Sequence, residues 1–220
     1  SSYGNQLFIS ADQWRSLSSV ELAAKNPWDG MCDTALHITS NTVSDISFNN
    51  ISVGSGVRSI ALQGAYGAID VSTVTVGFDY ERSIGLYGAF DSVKLSNGND
   101  NLVIQSDKSF SVDAGAGNDS VYLNVSGAVA TIDGGEGNDT LYLQNSPYGQ
   151  IDLSKVTLKN IETVSYGSKT LLITEAQKDA WSFDGSGAKF LKTNAGILGT
   201  DNADNYTGDG TDVFKGCLLY

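Results

Sequence analysis

One sequence unit is written twice in the middle of the chain, and this repetition restricts the folds that are open to it. The two copies read VDAGAGNDSVYL, starting at Val112, and IDGGEGNDTLYL, starting at Ile132. A weaker copy, KLSNGNDNLVI, precedes them and contains Asp100. A fixed period of about twenty residues is typical of a solenoid, in which each repeat forms one coil and stacks on the coil before it.

Apolar strand positions keep this period over most of the chain. Alternate residues of a strand point to the same face, so such positions form ladders of inward-facing side chains. One predicted ladder runs through Ile69, Val93, Val112, Ile132, Ile151 and Leu171, and its partner runs through Ile60, Ile84, Leu102, Val121, Leu141 and Ile161. We therefore predict an all-β fold, a parallel β-solenoid of about six or seven coils, each of about 20 residues.

Two similar passages flank this predicted solenoid, LFISADQW near the start and LLITEAQKDAW near residue 171. In each, a short strand leads into a capping box, which opens a short helix. The first helix is predicted to continue to about Lys25, because its apolar residues keep helical spacing. We interpret both modules as caps, since the exposed strand edges of terminal coils invite pairing with other chains.

The predicted organisation of the chain follows from these features. It consists of a strand–helix cap over residues 1–30, the solenoid over 31–173, a second capping helix and linker over 174–198, and a further glycine-rich array over 199–220. Within the solenoid, three glycine-rich turns occupy residues 96–101, 114–120 and 134–140. Glycine tolerates positive φ, so these turns can fold tightly and direct carbonyl oxygens inward. The aspartate that closes each turn adds a carboxylate, and such hard oxygen ligands suit Ca²⁺.

These turns, with the strands that follow them, resemble the calcium-binding nonapeptide G-G-x-G-x-D-x-U-x of the RTX (repeats-in-toxin) family. Residues 134–142 match every position, and residues 114–122 match with one substitution. The resemblance implies that Ca²⁺ lies between successive coils, held by glycine carbonyls and aspartate carboxylates. Carried onto this chain, the implied ligands are Gly98, Asp100, Gly115, Gly117, Asp119, Gly135, Gly137 and Asp139.

The stretch from residue 199 to 220 resembles the opening of a further RTX array, with Asp204 and Asp212 as possible additional metal ligands. The resemblance also implies a bacterial protein that is secreted by the type I route or displayed on the cell surface, and that folds on meeting extracellular Ca²⁺. The predicted function is that of a structural or adhesive module of a surface layer or adhesin. Its partners would be Ca²⁺ and a glycan, a cell surface or further copies of the chain.

The charge balance fits a protein that binds cations. The chain has 25 Asp and Glu against 13 Lys and Arg, which gives a net charge of −12. Such a surface repels nucleic acid and anionic membranes, so neither is an expected partner. No run of about eighteen apolar residues is present, so no membrane span is expected.

Two tyrosines of the repeated unit leave a choice of interpretations. Tyr122 and Tyr142 alternate with inward-facing residues and therefore point outward, one coil apart. They could bind a sugar ring, or they could stack on each other and stiffen the solenoid.

Three other functions stay open beside the structural one. Asp79 and Glu81 could be the acid–base pair of a carbohydrate-active enzyme, although acidic neighbours are common by chance in a surface loop, and we predict no enzymatic activity. An ice-binding solenoid would need a flat file of threonines, whereas the equivalent turn position carries Asn97, Ala116 and Glu136. A bacteriocin-like or toxin component is the third alternative.

Overall fold

The computed structural model describes residues 6–18, 34–49, 57–74, 83–106, 108–143, 145–193 and 196–199. In this part of the chain the backbone forms a parallel β-solenoid of about six coils, which confirms the predicted fold class. Its strands, in chain order, are β1 (Gln6–Ser10), β2 (Thr34–Ser40), β3 (Ile46–Ser47), β4 (Val57–Ala65), β5 (Ala68–Asp70), β6 (Ser83–Ala89), β7 (Ser92–Lys94), β8 (Asn101–Gln105), β9 (Phe110–Asp113), β10 (Ser120–Leu123), β11 (Ala130–Asp133), β12 (Thr140–Tyr142), β13 (Gln150–Asp152), β14 (Val156–Lys159), β15 (Thr163–Gly167), β16 (Thr170–Ile173), β17 (Phe183–Gly185), β18 (Lys189–Thr193) and β19 (Gly196–Gly199).

The strands stack into three sheets. Sheet A has nine strands in the order β1-β2-β4-β6-β8-β10-β12-β15-β17, and sheet B has six in the order β3-β5-β7-β9-β11-β14. Sheet C is a smaller sheet of four strands, β13-β16-β18-β19, in which β18 and β19 pair in the antiparallel direction. From β2 to β14 each coil contributes one strand to sheet A and then one to sheet B, whereas β15 and β17 of sheet A are followed by strands of sheet C. The core fills the space between the sheets.

The core of the solenoid is a set of columns of apolar side chains. Leu102, Val121 and Leu141 occupy paired positions on consecutive coils of sheet A, and each is fully buried. Because parallel pairing in register places like residues above one another, each coil presents the next with a matching apolar surface. This repetition is the reason that a fixed sequence period produces a solenoid.

The first predicted ladder is correct from Ile69 to Ile132 and again from Ile151 to Leu171, and it is wrong at the step between them. Ile132 pairs with Leu158 of β14, whereas Ile151 was predicted to follow it. The coil that begins with β12 contains the additional strand β13, which starts sheet C and delays the return of the chain to sheet B. Ile151 lies in β13 and pairs with Leu171 in sheet C, as predicted.

The second predicted ladder also loses its register at this coil. Leu141 pairs with Val164, and the predicted partner Ile161 lies three residues too early. The insertion of β13 lengthens this coil, so counting in steps of about twenty residues falls short.

Both predicted capping boxes are present. Helix α1 (Ala11–Ser16) is capped by Ser10 and Gln13, and helix α2 (Glu175–Ala180) is capped by Thr174 and Gln177. The prediction that the first helix continues to about Lys25 is wrong: the helix ends at Ser16 because the backbone of Leu17 is extended, with φ −84° and ψ 128°.

The two helices contact the opposite ends of sheet B. The indole Nε1 of Trp14 in α1 donates to the carbonyl of Ser47 at 3.1 Å, and the Trp14 ring packs on Phe48. At the other end, Nε2 of Gln177 in α2 donates to the carbonyls of Leu153 and Val156, each at 2.8 Å. These contacts support the interpretation of both modules as caps of the solenoid.

The predicted linker over residues 174–198 contains more than a helix, since β17 and β18 extend sheets A and C within it. Among the described residues, no helix has the length and apolar composition needed to cross a membrane.

Candidate metal centre

The three glycine-rich turns stack directly on one another at one corner of the solenoid. Gly135 and Gly137 adopt φ values of +92° and +138°, in the region that favours glycine. A Cβ at Gly135 would overlap the carbonyl oxygen of Gly115, and a Cβ at Gly137 would overlap that of Gly117. Both the backbone conformation and the close approach of adjacent coils therefore require glycine here.

The aspartates that end the second and third turns reach back to the coil before them, whereas Asp100 accepts the N–H and hydroxyl of Ser96 in its own turn. Oδ1 of Asp119 accepts the backbone N–H of Asp100 at 2.7 Å, and Oδ1 of Asp139 accepts the N–H of Asp119 at 2.7 Å. The three aspartates thus form a continuous row along the solenoid, with one carboxylate per coil and about 4.8 Å between coils.

A fourth carboxylate, which the sequence analysis missed, continues this row. Oε2 of Glu162 accepts the N–H of Asp139 at 2.6 Å. The signal that could have found it is register: Glu162 precedes Val164 by two residues, as Asp139 precedes Leu141. The incorrect placement of Ile161 in the ladder concealed this equivalence.

A parallel ladder of asparagines runs beside the carboxylates on the exposed side of the turns. Oδ1 of Asn99 accepts the N–H of Asn118 at 2.7 Å, and Oδ1 of Asn118 accepts the N–H of Asn138 at 2.9 Å. The Gly-Asn-Asp sequence therefore satisfies two successive backbone donors per coil, one through an amide oxygen and the other through a carboxylate oxygen.

The three aspartates of the row are buried, whereas Glu162 is exposed. Asp100 and Asp119 are each 2% exposed and Asp139 is 1% exposed. In each of them one oxygen has no hydrogen-bond partner, namely Oδ1 of Asp100, Oδ2 of Asp119 and Oδ2 of Asp139. A buried charged oxygen without a partner raises the free energy of the folded state, so a proton or a cation is needed to neutralise the row.

Burial and mutual repulsion perturb these carboxyl groups strongly. Burial raises the pKa of Asp100 to about 6, against the opposing effect of hydrogen bonds from the Ser96 hydroxyl and N–H. The pKa of Asp119 is raised to about 7, mainly by burial and also by the neighbouring charges of Asp100 and Asp139. The pKa of Asp139 is raised by burial and by the charges of Glu162 and Asp133. Near neutral pH the row can therefore bind either protons or a cation.

A backbone oxygen and the unpartnered oxygen of Asp139 both lie close to Gly134. A Cβ at Gly134 would lie 2.1 Å from the carbonyl oxygen of Asn160 and 2.5 Å from Oδ2 of Asp139, so only glycine fits beside these two oxygens. The described residues contain no group of three or more His, Cys, Asp and Glu that could hold a metal ion by themselves. A bound cation would need backbone carbonyl oxygens or water as well, a mixed oxygen set that Ca²⁺ accepts. Of the carbonyls implied by the resemblance, that of Gly115 also accepts the N–H of Glu136 at 3.0 Å, which leaves one lone pair.

The other candidate residues are not part of this row. The rings of Tyr122 and Tyr142 stack on each other, with centroids 4.8 Å apart and planes 13° apart, so they form the ladder that was one of their two interpretations. Asp79, Glu81, Asp204 and Asp212 lie outside the residues that the structure describes.

Fold and site together define a class of protein, a capped parallel β-solenoid with a row of buried carboxylates at the turns of its central coils. No family model, no curated protein and no solved structure matches the chain. The resemblance of its turns to the RTX nonapeptide therefore stays a prediction from the residues.

Proposed function

We propose that this chain is a structural and adhesive module of a secreted or surface-displayed bacterial protein of the RTX type, and that Ca²⁺ bound along the carboxylate row stabilises its fold. The observation that carries this proposal is the run of unpartnered, buried oxygens on Asp100, Asp119 and Asp139. The resemblance of the turns to the RTX nonapeptide supports both the choice of Ca²⁺ and the location outside the cell.

In this proposal each residue of the turn has a separate task. Asp119 and Asp139 hold neighbouring coils together through Oδ1 and present Oδ2 to the cation, and Asp100 presents its Oδ1. The glycines allow the turns to approach closely enough for carbonyl oxygens of adjacent coils to share that cation. Bound Ca²⁺ supplies the positive charge that offsets burial and repulsion within the row.

Metal binding and folding are coupled in such an arrangement. Without a cation, four acidic side chains stand in one row across adjacent coils, and the folded state bears the cost of burying the three aspartates and of the repulsion within the row. A ligand that binds only the folded state adds its binding free energy to stability. The chain would thus stay loosely structured where Ca²⁺ is scarce and become rigid where it is abundant.

Thermal unfolding in excess EGTA, and after millimolar Ca²⁺ or Mg²⁺ is restored, tests the proposal. We expect Ca²⁺ alone to raise Tm substantially, and the double variant Asp119→Asn, Asp139→Asn to lose this response. The matched control is Asp91→Asn, Asp113→Asn, which removes two exposed carboxylates from the neighbouring coils and should respond to Ca²⁺ as the wild type does. Identical melts of the wild-type protein under all three conditions would overturn the proposal.

A further inference from the structure

The outer face of sheet A carries a depression that the carboxylate row does not involve. It crosses strands β2, β4, β6 and β8 and encloses about 680 Å³. Its shape follows from one row of outward-facing positions, in which His37, Ala61, Gly85 and Val103 are paired from strand to strand. Alanine and glycine between larger side chains leave a floor two strands wide, or about 10 Å across.

One aromatic ring covers part of this floor. A Cβ at Gly85 would lie 2.5 Å from Cε2 of Tyr87, so the Tyr87 ring occupies the space above the glycine. Tyr87 is nevertheless 41% exposed, which leaves part of the ring open to solvent. His37 also lines the depression, and its ring stacks on that of Phe8 with centroids 4.6 Å apart.

Uncharged polar side chains stand on either side of the floor. Gln63 and Gln105 are paired with Tyr87 from the two neighbouring strands, and both are exposed. Ser59 and Ser83 are paired with each other on the opposite side. No Asp, Glu, Lys or Arg occurs among the described residues that line the depression, although the chain carries a net charge of −12.

We propose that this depression is a groove that binds a neutral saccharide. One sugar ring would stack on Tyr87, and the hydroxyl groups of the sugar would form hydrogen bonds with the amides of Gln63 and Gln105. A flat, exposed aromatic ring matches the apolar face of a pyranose ring, and carboxamides both donate to and accept from hydroxyl groups. The described residues of the lining include no Asp, Glu, Lys or Arg. An anionic sugar would therefore find no basic side chain there, and a cationic ligand would find no carboxylate. The floor has the width of one to two sugar rings.

This site rests on the proposed function and makes its adhesive part more specific. The groove would be the surface through which the folded solenoid binds a glycan. It lies on the face of sheet A from β2 to β8, whereas the carboxylate row follows the turns before β8, β10, β12 and β15. The two sites can therefore be tested separately on one folded protein.

Isothermal titration calorimetry of the full chain with neutral hexasaccharides tests the groove. The neutral probes are maltohexaose, cellohexaose, laminarihexaose and mannohexaose. Oligogalacturonate is the charged comparison. We expect at least one neutral probe to bind, oligogalacturonate not to bind, and Tyr87→Ala to weaken binding at least tenfold. Gln63→Ala, Gln105→Ala should weaken it as well. Tyr148→Ala, which removes a similarly exposed tyrosine outside the groove, is the matched control and should bind normally.

Circular dichroism melts in Ca²⁺ and in EGTA accompany each titration and keep the two proposals apart. A Ca²⁺-dependent Tm together with no binding of any neutral probe, or with undiminished binding by Tyr87→Ala, overturns the groove alone. Saccharide binding that depends on Tyr87 without any Ca²⁺-dependent Tm overturns the metal row alone. If Tyr87→Ala does not fold, Tyr87→Phe, which keeps the ring, must retain binding while the double glutamine variant loses it.

Discussion

The backbone N–H of Asp119 donates to Oδ1 of Asp139 at 2.7 Å, and both residues are almost fully buried. This bond makes the carboxylate of one coil part of the backbone hydrogen bonding of the coil before it. A residue with this role cannot turn outward to water when its charge is not neutralised. The row therefore has to be neutralised where it stands, and this requirement leads to four predictions.

Removal of metal should lower the stability of the folded chain. A ligand present at about one hundred times its Kd stabilises the fold by about 2.7 kcal/mol, which corresponds to roughly 5–10 °C in Tm for a chain of this size. We expect a shift of at least this size between EGTA and saturating Ca²⁺, measured by differential scanning calorimetry. A shift that is equally large with Mg²⁺ would contradict the assignment of a Ca²⁺ site.

Stability without metal should fall as the pH rises. The folded-state pKa of Asp100 is raised to about 6 and that of Asp119 to about 7, from an ordinary value of 3.8. Between about pH 4 and 7 the folded state therefore binds more protons than the unfolded state, so its stability is greatest below this range and is lost through it. In EGTA, Tm should be higher at pH 5 than at pH 8.

The same pH series in saturating Ca²⁺ should show a smaller loss, since the cation replaces the protons. The variant Asp119→Asn should also show a smaller loss in EGTA, because the titrating group is absent. A metal-free protein whose Tm rises steadily from pH 5 to pH 8 would contradict the assigned pKa directions.

Glycine at position 135 should be indispensable to the stacked turns. Gly135→Ala places a Cβ against the carbonyl oxygen of Gly115 at a φ of +92°, so both a clash and backbone strain result. We expect a loss of at least about 3 kcal/mol in the free energy of unfolding, measured by urea denaturation in Ca²⁺. Gly149→Ala is the matched control, since a Cβ there meets no atom within 4 Å, and it should change stability by no more than about 0.5 kcal/mol.

Glu162 should act as the last member of the carboxylate row. Glu162→Ala leaves the N–H of Asp139 without its acceptor and should cost about 1–3 kcal/mol, whereas Glu162→Gln keeps an oxygen at the same reach and should restore most of this loss. Amide hydrogen exchange of Asp139 reports the bond directly. Equal protection of that amide in the wild type and in Glu162→Ala would show that the bond does not form.

The coils that repeat one sequence unit could be predicted from the sequence, whereas the coil that contains β13 could not. The ladder from Ile69 to Ile132 could be predicted although its steps are 24, 19 and 20 residues, because neighbouring coils in this stretch repeat each other's sequence pattern. The step to Leu158 could not be predicted, since β13 adds a strand with no counterpart in the earlier coils.

The same reasoning separates the parts of the candidate site. The positions of Asp119 and Asp139 follow from the repeated turn, and the structure places both in the buried row. Glu162 stands in a turn without the glycine motif, so only the strand register identifies it as equivalent. The groove around Tyr87 depends on side chains that are far apart in sequence and become neighbours through pairing of β2, β4, β6 and β8.

The direction of the bonds in the carboxylate row has a consequence for the order in which coils can dock. The amide N–H of Asp100 is accepted by Asp119, that of Asp119 by Asp139, and that of Asp139 by Glu162. When coils dock onto the N-terminal end, the aspartate amide of the outermost coil therefore lacks its acceptor until one more coil is in place. Glu162 is the residue that completes the row.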